Sequence, residues 1–448
     1  MRTVEKIIII LFFLSYGGTI LFAQWNGTGS QSDPYLISNA GELKALSDLV
    51  LEDNTLTCDA TNGKYWRVIA DIDMTEITNF IPIGGWKSAT ANEYRKHYFS
   101  GTFNGGGKTI SNLTIEKADK ECVGLFGYTA RNAFIDSLTL KSFRITGYRL
   151  VGALVGINSA NIENCAVVES VIMGDSNQIG GLVGSNSATI SNCYADCHVS
   201  ATGSGYSGVL VGSSSGVIKE CFARGVVVSE YGNVGGLVGI NEGKINNSYA
   251  VASVTGNANT GGLVGICYGS ISNSYAVPLS LTSTDQDGNI GVLIGSLLSS
   301  QYSSGAKPGN CYYLQTEGVN AIGDNDYGGV MDVSAKTAEE MKDISIVNLL
   351  NNGQNPAPWK TSEAVNRFSY PSLKWQETSS YLSSDYSKVK LPKEDKTGGD
   401  GKNSKETNNI WMLATIILLL IILIFYTIYA IRLIRENTAL RKQLKNNK

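Results

Sequence analysis

The chain has 448 residues and a formal charge of −3, so it lacks the basic field that nucleic-acid binding requires. It contains 50 glycines but only 8 prolines, with no Gly-X-Y period, which excludes a collagen triple helix and indicates many tight turns. This length allows two or three ordinary domains, although a single solenoid can absorb all of it.

Residues 1–23 have the pattern of a secretory signal peptide. Two basic residues precede an unbroken apolar run at 7–14, and Ala23 offers a small residue for cleavage. The alternative is an N-terminal membrane anchor, which the shortness of the apolar run disfavours. We therefore expect the protein to lie outside the cytoplasm.

Residues 24–100 are predicted to form a mixed α/β cap, because the first coil of a solenoid would otherwise expose an unpaired strand edge and its apolar interior. The predicted elements are a strand at 33–37, a helix that begins after Ser38 or Asn39 and continues to Leu51, and a strand at 65–72.

A short phrase bounded by glycines occurs seven times in the middle of the chain. It reads GLFG at 124–127 and then GALVG, GGLVG, GVLVG, GGLVG, GGLVG and GVLIG, and its closing glycines are Gly127, Gly156, Gly184, Gly212, Gly239, Gly265 and Gly295. These glycines are 29, 28, 28, 27, 26 and 30 residues apart. A second phrase follows five of the copies at a constant distance: NIENCA, TISNCYA, VIKECFA, KINNSYA and SISNSYA. Periods of this length indicate a solenoid, a propeller or another repeat array.

The period favours a parallel β-helix. Apolar runs of three to five residues are separated by Gly, Asn and Ser, which leaves no room for an ordinary helix. About 28 residues accommodate three short strands and three turns, which is one coil stacked on its neighbours at about 4.8 Å. The alternative, a propeller, needs about 40 residues for each four-stranded blade. We predict an all-β, right-handed parallel β-helix of about 28-residue coils over residues 101–315.

Equivalent positions of the coils are predicted to form rows along the solenoid axis. One row holds short amides that suit a bend, with Glu220 as its exception: Asn112, Asn164, Asn192, Asn247, Asn273 and Asn310. If such amides stack in register, they can also bond to one another. The next position holds small side chains: Cys165, Cys193, Cys221, Ser248, Ser274 and Cys311.

The position after the small residues holds an aromatic row, Tyr194, Phe222, Tyr249, Tyr275 and Tyr312. Because successive strand residues point to opposite faces, the aromatic row points outward if the Cys/Ser row points inward. Two aliphatic rows are predicted to fill the interior, and they consist of Ile162, Ile190, Ile218, Ile245 and Ile271 together with Leu154, Leu182, Leu210, Leu237 and Leu263.

These motifs resemble the GLUG repeat, which is named for its Gly-Leu-(aromatic or aliphatic)-Gly core and occurs in bacterial surface proteins. The resemblance covers roughly residues 24–376, including FSGTFNGGGKTISNLTI before the first copy and YPSLKWQ after the last. It implies an extracytoplasmic β-solenoid whose repeats have no assigned catalytic role. Some related proteins that cleave immunoglobulin A add a zinc peptidase domain, but this chain has no HExxH motif.

The C-terminal part is predicted to close the solenoid and anchor it in a membrane. Residues 316–376 form a mixed α/β cap, with a helix at 337–350 that Thr337 and Glu340 cap reciprocally. Trp359, Tyr370, Leu373 and Trp375 are expected to pack on the last coil.

The remaining residues predict a stalk, a membrane span and a tail. Residues 377–409 are rich in Ser, Lys, Gly and Asp, as flexible linkers are. Residues 410–431 carry no charge and, at about 1.5 Å per residue, are long enough to span a bilayer as one helix. The tail, 432–448, is basic, so the positive-inside rule predicts a cytoplasmic C-terminus and an outward-facing ectodomain. The alternative for 410–431 is a buried core helix.

Residues that could carry chemistry are few and scattered. The candidates are Asp196, His198, Glu220, Arg224 and Glu242, which occupy different slots and are interpreted as solvated surface charges. His97 and His198 are too far apart for a metal-ligand spacing, so no metal or cofactor is predicted. The eight cysteines lack a CxxC motif, and those at 165, 193 and 221 are expected to be free and buried, although pairing between stacked neighbours remains open.

The sequence therefore predicts a membrane-anchored, non-catalytic protein for adhesion or recognition of a glycan or a surface protein, without nucleic acid as a partner. The aromatic row is the hypothetical contact surface, since exposed rings suit sugars and protein hot spots. The alternative role for this row is stacking between coils. Alternatives for the whole protein are a β-helical polysaccharide lyase or hydrolase and a structural surface spacer.

Overall fold

The computed structural model describes residues 25–52, 59–85, 97–298, 308–326, 331–361 and 370–376. The predicted signal peptide, stalk, membrane span and basic tail lie outside these residues. Within the described ranges, no helix has both the length and the apolar character needed to cross a bilayer.

Most of the described chain is a parallel β-solenoid of about nine turns, as the period predicted. One sheet has eight short strands, β6 Phe126–Thr129, β9 Val155–Asn158, β13 Val183–Asn186, β17 Val211–Ser214, β21 Val238–Asn241, β25 Val264–Cys267, β29 Ile294–Leu297 and β32 Ile322–Asn325.

A second sheet of 25 strands runs around the other sides of the coils. Its strands are β1 Tyr35–Ile37, β2 Tyr65–Val68, β3 Ile72–Asp73, β4 Thr102–Ser111, β5 Thr114–Val123, β7 Phe134–Lys141, β8 Arg144–Val151, β10 Asn161–Glu163, β11 Ala166–Gly174, β12 Ile179–Gly180, β14 Thr189–Ser191, β15 Tyr194–Ala201, β16 Tyr206–Gly208, β18 Val217–Lys219, β19 Phe222–Ser229, β20 Asn233–Gly235, β22 Lys244–Asn246, β23 Tyr249–Gly256, β24 Asn259–Gly261, β26 Ser270–Ser272, β27 Tyr275–Ser283, β28 Asn289–Gly291, β30 Pro308–Gly309, β31 Cys311–Leu314 and β33 Val333–Lys336.

A regular coil contains four strands where three short ones were predicted. The coil that contains β14 and β15 continues through β16 and β17, and its second strand has eight residues. The prediction missed this long strand because its small and polar residues, as in YADCHVSA, do not form an apolar run. Alternation nevertheless continues along it, since Ala195, Cys197 and Val199 are fully buried in the interior.

The predicted rows are confirmed by the pairing register. Ile162 pairs with Ile190, and the isoleucine row continues through Ile218 and Ile245 to Ile271. The leucine row is joined by backbone hydrogen bonds of 2.8–3.1 Å between successive coils. Both rows are buried and belong to one continuous core.

Close packing of the backbone explains the closing glycine of the repeated phrase. A Cβ atom on Gly212 would lie 2.6 Å from the carbonyl carbon of Gln178, 2.6 Å from the amide nitrogen of Ile179 and 2.7 Å from the carbonyl oxygen of Gly184. All three atoms belong to the backbone and cannot rotate away. Glycine is therefore required there by space, because two segments of backbone meet without side chains between them.

The asparagine row marks a left-handed corner in each coil. Asn112, Asn164, Asn192, Asn247, Asn273 and Asn310 have φ between 50° and 61°, and Glu220, the exception in the row, has φ of 54°. Asparagine tolerates this region better than most residues because its short polar side chain can bond locally. The bend was predicted, but the expected ladder of amides is limited to Asn310, whose Nδ2 donates to Asn273 Oδ1 at 2.7 Å.

The N-terminal residues continue the coil pairing instead of forming a separate cap. β1 pairs with β2, and β2 pairs with β4 in parallel. Helix α1, Ala40–Glu52, buries Leu43, Leu46 and Val50 in the solenoid core. Its start is fixed as predicted, since Asn39 Oδ1 accepts the Glu42 amide at 3.0 Å and Glu42 Oε2 accepts the Ser38 amide at 2.7 Å. A 3₁₀ turn, Asp59–Thr61, follows.

The strand predicted at 65–72 is divided into β2 and β3. At the other end of the chain, parallel pairing extends beyond residue 315, because β32 pairs with β29 and β33 pairs with β31. A further coil thus lies within the region that was predicted to be only a cap.

The left-handed corner allows a prediction at Asn192. The backbone amide of Asn192 hydrogen-bonds to the carbonyl oxygen of Lys219, and its side chain does not. We expect Asn192→Ala to lower the free energy of unfolding by about 1 kcal/mol, because an alanine Cβ is disfavoured in this conformation. Asn192→Gly should change it by no more than about 0.5 kcal/mol, because glycine adopts positive φ freely. Equilibrium urea unfolding measures both, and equal losses for the two variants would contradict the role of backbone conformation.

Candidate interaction surface

The row of small residues points into the interior and completes the hydrogen bonding of the corner. Each thiol or hydroxyl donates to the carbonyl two residues earlier; for example, Ser274 Oγ donates to Ser272 O at 2.7 Å. Cys193, Ser248 and Ser274 also accept an amide of the preceding coil, as when the Ser248 amide donates to Ser274 Oγ at 3.1 Å. Cysteine and serine can both occupy this row because both are small and both can donate and accept.

The cysteines of this row are free thiols and are buried, as expected for positions 165, 193 and 221. Burial raises the pKa of Cys193 well above its ordinary value, and the neighbouring thiols of Cys165 and Cys221 add to the effect. Burial also raises the pKa of Cys267 and of Cys311 to about 12. These thiols are therefore structural and poorly nucleophilic.

A second interior row of polar side chains was not predicted. Thr129 Oγ1 donates to Asn158 Oδ1 at 2.8 Å, and Asn158 Nδ2 donates to Asn186 Oδ1 at 2.8 Å. Asn186 Nδ2 continues the row to Ser214 Oγ at 3.1 Å. All four residues are buried, so this network stabilises the interior and offers no binding site.

The aromatic row lies on the outer face of the long strands, but it is buried. The rings of Tyr194 and Phe222 are stacked 4.6 Å apart, those of Phe222 and Tyr249 5.1 Å apart, and those of Tyr249 and Tyr275 4.7 Å apart. All five members of the row, including Tyr312, are at most 6% exposed. Their ring faces meet one another along the solenoid axis, so only ring edges point outward.

The sequence assigned this row, Tyr194, Phe222, Tyr249, Tyr275 and Tyr312, to a ligand-contact surface. Its burial contradicts the exposure on which that hypothesis depended. Stacking between coils, which was the alternative, is what the ring geometry shows. A sugar ring could not lie against these ring faces even if the edges were uncovered.

The residues that cover the row come from a C-terminal arm, defined here as residues 339–361 and 370–376. It contains a 3₁₀ turn, Glu340–Lys342, helix α2, Ile344–Asn351, and a two-stranded antiparallel pair, β34 Trp359–Lys360 with β35 Ser372–Leu373. The predicted single helix at 337–350 is broken because Asp343 is extended and caps α2 through the Ser345 amide. The predicted bonds between Thr337 and Glu340 are present before the 3₁₀ turn.

Two tryptophans of the arm pack on the edges of the aromatic row. The ring of Trp359 lies 5.5 Å from Tyr275 and 5.9 Å from Tyr249, whereas the ring of Trp375 lies 5.7 Å from Phe222. The arm was expected to pack on the last coil. It instead runs back along the side of several coils, because the apolar ring edges that need cover are there.

Hydrogen bonds also fix the arm along the middle of the row. Trp375 Nε1 donates to Glu220 O at 2.9 Å, and Gln376 Nε2 donates to Tyr249 Oη at 2.9 Å. Tyr275 Oη donates to Pro371 O at 2.5 Å. These bonds satisfy polar atoms that burial would otherwise penalise.

The asparagine corners supply a second line of contacts to the arm. Asn247 exchanges two hydrogen bonds with Gln354, of 2.9 and 3.0 Å. Asn310 Nδ2 donates to Leu349 O at 2.7 Å. Two of the amides predicted to bond along the axis, those of Asn247 and Asn310, thus also bond to the arm.

The five candidate chemical residues do not form a catalytic group. Asp196 and Arg224 pair across adjacent coils, with 3.9 Å between Oδ2 and Nε, and Asp196 is only 3% exposed. Asp196 is therefore not the solvated surface charge that was predicted. Glu220 lies 3.2 Å from Lys219, and Glu242 is exposed.

The histidines also remain separate. Burial lowers the pKa of His198, and His97 is buried near the N-terminal end of the coils. Among the residues that the structure describes, no three His, Cys, Asp or Glu side chains are grouped as metal ligands.

Beside the arm, the same long strands carry an outer strip that its described residues do not cover. Outward positions alternate with the buried Ile172, Val199, Val227 and Val254, and the strip consists of Val171, Met173, His198, Ser200, Val226, Val228, Ser253, Thr255, Ser280 and Thr282. We call these ten residues the open strip. Val171 and His198 are buried, and the others are partly or fully exposed.

The open strip contains no Asp, Glu, Lys or Arg across five coils. Charged residues flank it on both edges: Asp175 and Glu230 are exposed at the turn side, and the Asp196–Arg224 pair lies on the side of the aromatic row. A surface with an uncharged centre and a charged edge has the composition of an interaction site. No sequence motif identified it, because it consists of ordinary residues that only the coil register brings together.

Comparison with known proteins agrees with this fold. The GLUG motif matches residues 175–200 and 230–255, which confirms the resemblance found from the repeats. The chain therefore carries the GLUG motif in these two stretches.

Two curated proteins are similar to part of the chain. Halomucin of Haloquadratum walsbyi is 32% identical over 152 residues, which are 34% of this chain and 2% of that protein. A protein of Evansella cellulosilytica, provisionally named a Gly-rich membrane protein, is 32% identical over 145 residues, 32% of this chain and 15% of that protein. The chain thus spans only a small part of the length of either relative.

A crystal structure provisionally described as an immunoglobulin A1 protease from Bacteroides ovatus is similar in fold. The TM-score is 0.51 with 22% sequence identity, and the match covers 78% of this chain and 95% of the other. At this identity the likeness concerns the fold alone.

The packing of the arm generates a prediction for Trp375→Ala. Loss of the ring from Phe222 and of the bond to Glu220 should release the end of the arm, residues 370–376, because both contacts hold it. Hydrogen exchange measured by mass spectrometry should show faster exchange in the arm while the coils stay protected. Trp375→Phe, which keeps a ring, should have a smaller effect; equal loss of protection in arm and coils would contradict a separately releasable arm.

The buried thiols generate a prediction for alkaline pH. Their pKa values are raised in the fold, so their contribution to stability is complete below the ordinary thiol value of 9.0 and is lost as the pH rises through the folded values. Each such thiol should lower the free energy of unfolding by about 1.4 kcal/mol per pH unit between roughly pH 9 and 12.

Urea unfolding at pH 8, 9, 10 and 11 measures this loss. Cys193→Ser should reduce the slope above pH 9, because serine occupies the same row at 248 and 274 and does not ionise in this range. The same slope in the variant and the parent would exclude Cys193 as a contributor.

Proposed function

We propose that this protein is a non-catalytic GLUG-repeat protein of the cell envelope that acts in adhesion or in recognition of a glycan or a surface protein. A single-pass membrane anchor near the C-terminus, with the solenoid outside the cytoplasm, belongs to this proposal. The name of the Evansella relative as a membrane protein supports a location at a membrane.

The observation that carries the proposal is the open strip. It repeats outward-facing uncharged residues over five coils of a rigid parallel sheet, while the aromatic half of the same strands is covered by the arm. The centres of protein interfaces are depleted of charged residues relative to the rest of the surface. A half-covered sheet face with an uncharged centre therefore favours a partner outside the chain.

A polysaccharide lyase or hydrolase is the second candidate function. The described coils offer an enzyme of this kind little support. Asp196 is paired with Arg224, and Glu242 lies in the turn after β21 and not on the long strands. A hydrolase would need two carboxyl groups about 5–9.5 Å apart at one site. A spacer without a partner is the third candidate, and it gives no role to the uncharged strip.

The proposal is tested with the full-length protein in detergent micelles on an array of glycans and surface proteins. We expect binding to at least one probe, with at least a tenfold weaker affinity for Val228→Glu, because a charge at the centre of the strip would be desolvated by the partner. Ser185→Glu places the same charge on the eight-stranded sheet and should leave affinity unchanged.

Bound glycans are then incubated with the protein and assayed for new reducing or unsaturated ends. New ends would indicate the enzyme, whereas an array without any binding would favour the spacer. Weaker binding by Ser185→Glu and Val228→Glu alike would remove the open strip from the proposal.

A further inference from the structure

The dimensions of the open strip limit what can bind there. Each strand contributes two outward residues, so the strip is about 10 Å wide at roughly 3.3 Å per residue. Five coils at about 4.8 Å make it roughly 20–24 Å long. Its area of about 200–250 Å² is well below the roughly 800 Å² that each partner contributes to a standard protein interface. The strip is therefore suited to a thin, extended chain and is too small for a globular partner or a second copy.

The absence of charge limits the partner further. An anionic chain would need Lys or Arg for charge-assisted hydrogen bonds, and the strip has neither. The exposed charges at its turn edge, Asp175 and Glu230, are acidic and would repel an anion, and at its other edge Arg224 already faces the carboxylate of Asp196. Burial lowers the pKa of His198, which favours its neutral form. A neutral chain meets none of these penalties.

The hydrogen-bonding groups of the strip distinguish a sugar chain from a peptide. The backbone amides and carbonyls under the strip pair with adjacent coils, so the face offers none to a peptide laid across it. A peptide would bury backbone groups that only the few hydroxyl side chains of the strip could pair, and buried groups left unpaired are costly. Hydroxyl side chains stand instead at Ser200, Ser253 and Thr255. A sugar hydroxyl can both donate to and accept from them, as Thr255 and Thr282 do with each other at 3.1 Å.

The aliphatic members of the strip complete this chemistry. Val226 and Val228 alternate along β19 with no polar residue between them on the outer face. They offer apolar contact to the C–H faces of sugar rings, while hydroxyl groups lie on the coils to either side. The strip therefore offers apolar and hydroxyl contacts on successive coils. A polymer of similar units can make such contacts repeatedly along its length.

We propose that the open strip binds a neutral, linear polysaccharide along the solenoid axis. This inference rests on the proposed function and specifies its ligand. The arm bounds the site on the side of the aromatic row, and the acidic turn residues bound it on the other side.

The experiment uses the full-length protein immobilised in detergent, with soluble probes measured by biolayer interferometry. The probes are cello-oligosaccharides, a linear β-1,3-glucan, a linear α-1,6-glucan, a linear β-1,4-mannan, polygalacturonate and an uncharged extended Ser/Thr-rich peptide. We expect binding to a neutral polysaccharide with affinity that changes less than twofold between 50 and 500 mM NaCl, because no ion pair contributes. Polygalacturonate and the peptide should not bind.

Two variants locate the site. Val228→Arg and Thr255→Arg should each lower affinity for the neutral polysaccharide at least tenfold, and Ser185→Arg, on the eight-stranded sheet, should not. Circular dichroism thermal melts verify that all three fold. If Ser185→Arg weakens binding as much as the two strip variants do, the open strip is not the binding site.

The remaining outcomes separate this inference from the proposed function. Binding to polygalacturonate with strong salt dependence, or to none of the neutral polysaccharides, would overturn the neutral glycan. If a surface protein binds and Val228→Arg abolishes that binding, recognition stands and only the ligand class is wrong. If the strip variants change no interaction, both proposals fail.

Discussion

Parallel hydrogen bonding between successive coils is the constraint on which the rest of this structure depends. The register places each residue beside its equivalent about 28 residues away, as with Ile190 between Ile162 and Ile218. A property that recurs once per period therefore becomes a continuous row in space. Rings stack at 4.6–5.1 Å because the strands that carry them are spaced about 4.8 Å apart.

Two local conditions allow this register to persist. Backbone segments approach so closely at Gly212 that no side chain fits, and the chain turns through a left-handed residue at Asn192. The turn directs the next amide inward, where a thiol or hydroxyl of the following coil accepts it; the Cys221 amide donates to Ser248 Oγ at 3.1 Å. Each coil therefore completes the polar groups of the one before it, which couples coil shape to coil stacking.

Much of the fold could be predicted because its causes are local and repeated. The period, the corners and the interior rows follow from residues that occur at fixed distances in the sequence. The same 28-residue spacing joins Asp196 to Arg224 and Asn158 to Asn186, so those contacts were also accessible to prediction. They were missed because Asp196 and Arg224 form a single pair, and because the polar row through Asn158 and Asn186 changes residue type to Thr at 129 and Ser at 214.

The destination of the arm could not be predicted in this way. Trp375 meets Glu220 across 155 residues of sequence, and Gln376 meets Tyr249 across 127. No spacing relates such residues, and the arm docks through side chains instead of extending the coil pairing. Its position follows from the burial of ring edges, which depends on the folded solenoid.

The contrast between the two halves of the long strands explains why one is covered and the other is a candidate site. Aromatic edges at Tyr249 and Tyr275 gain from exclusion of water, and the arm supplies that cover within the chain. Residues such as Ser253 and Thr255 keep their hydroxyl groups solvated, so the open strip is stable without a cover. A ligand that displaces water from these hydroxyl groups must itself donate and accept hydrogen bonds. The solvated hydroxyl groups that keep the strip uncovered therefore also determine which ligands can bind it.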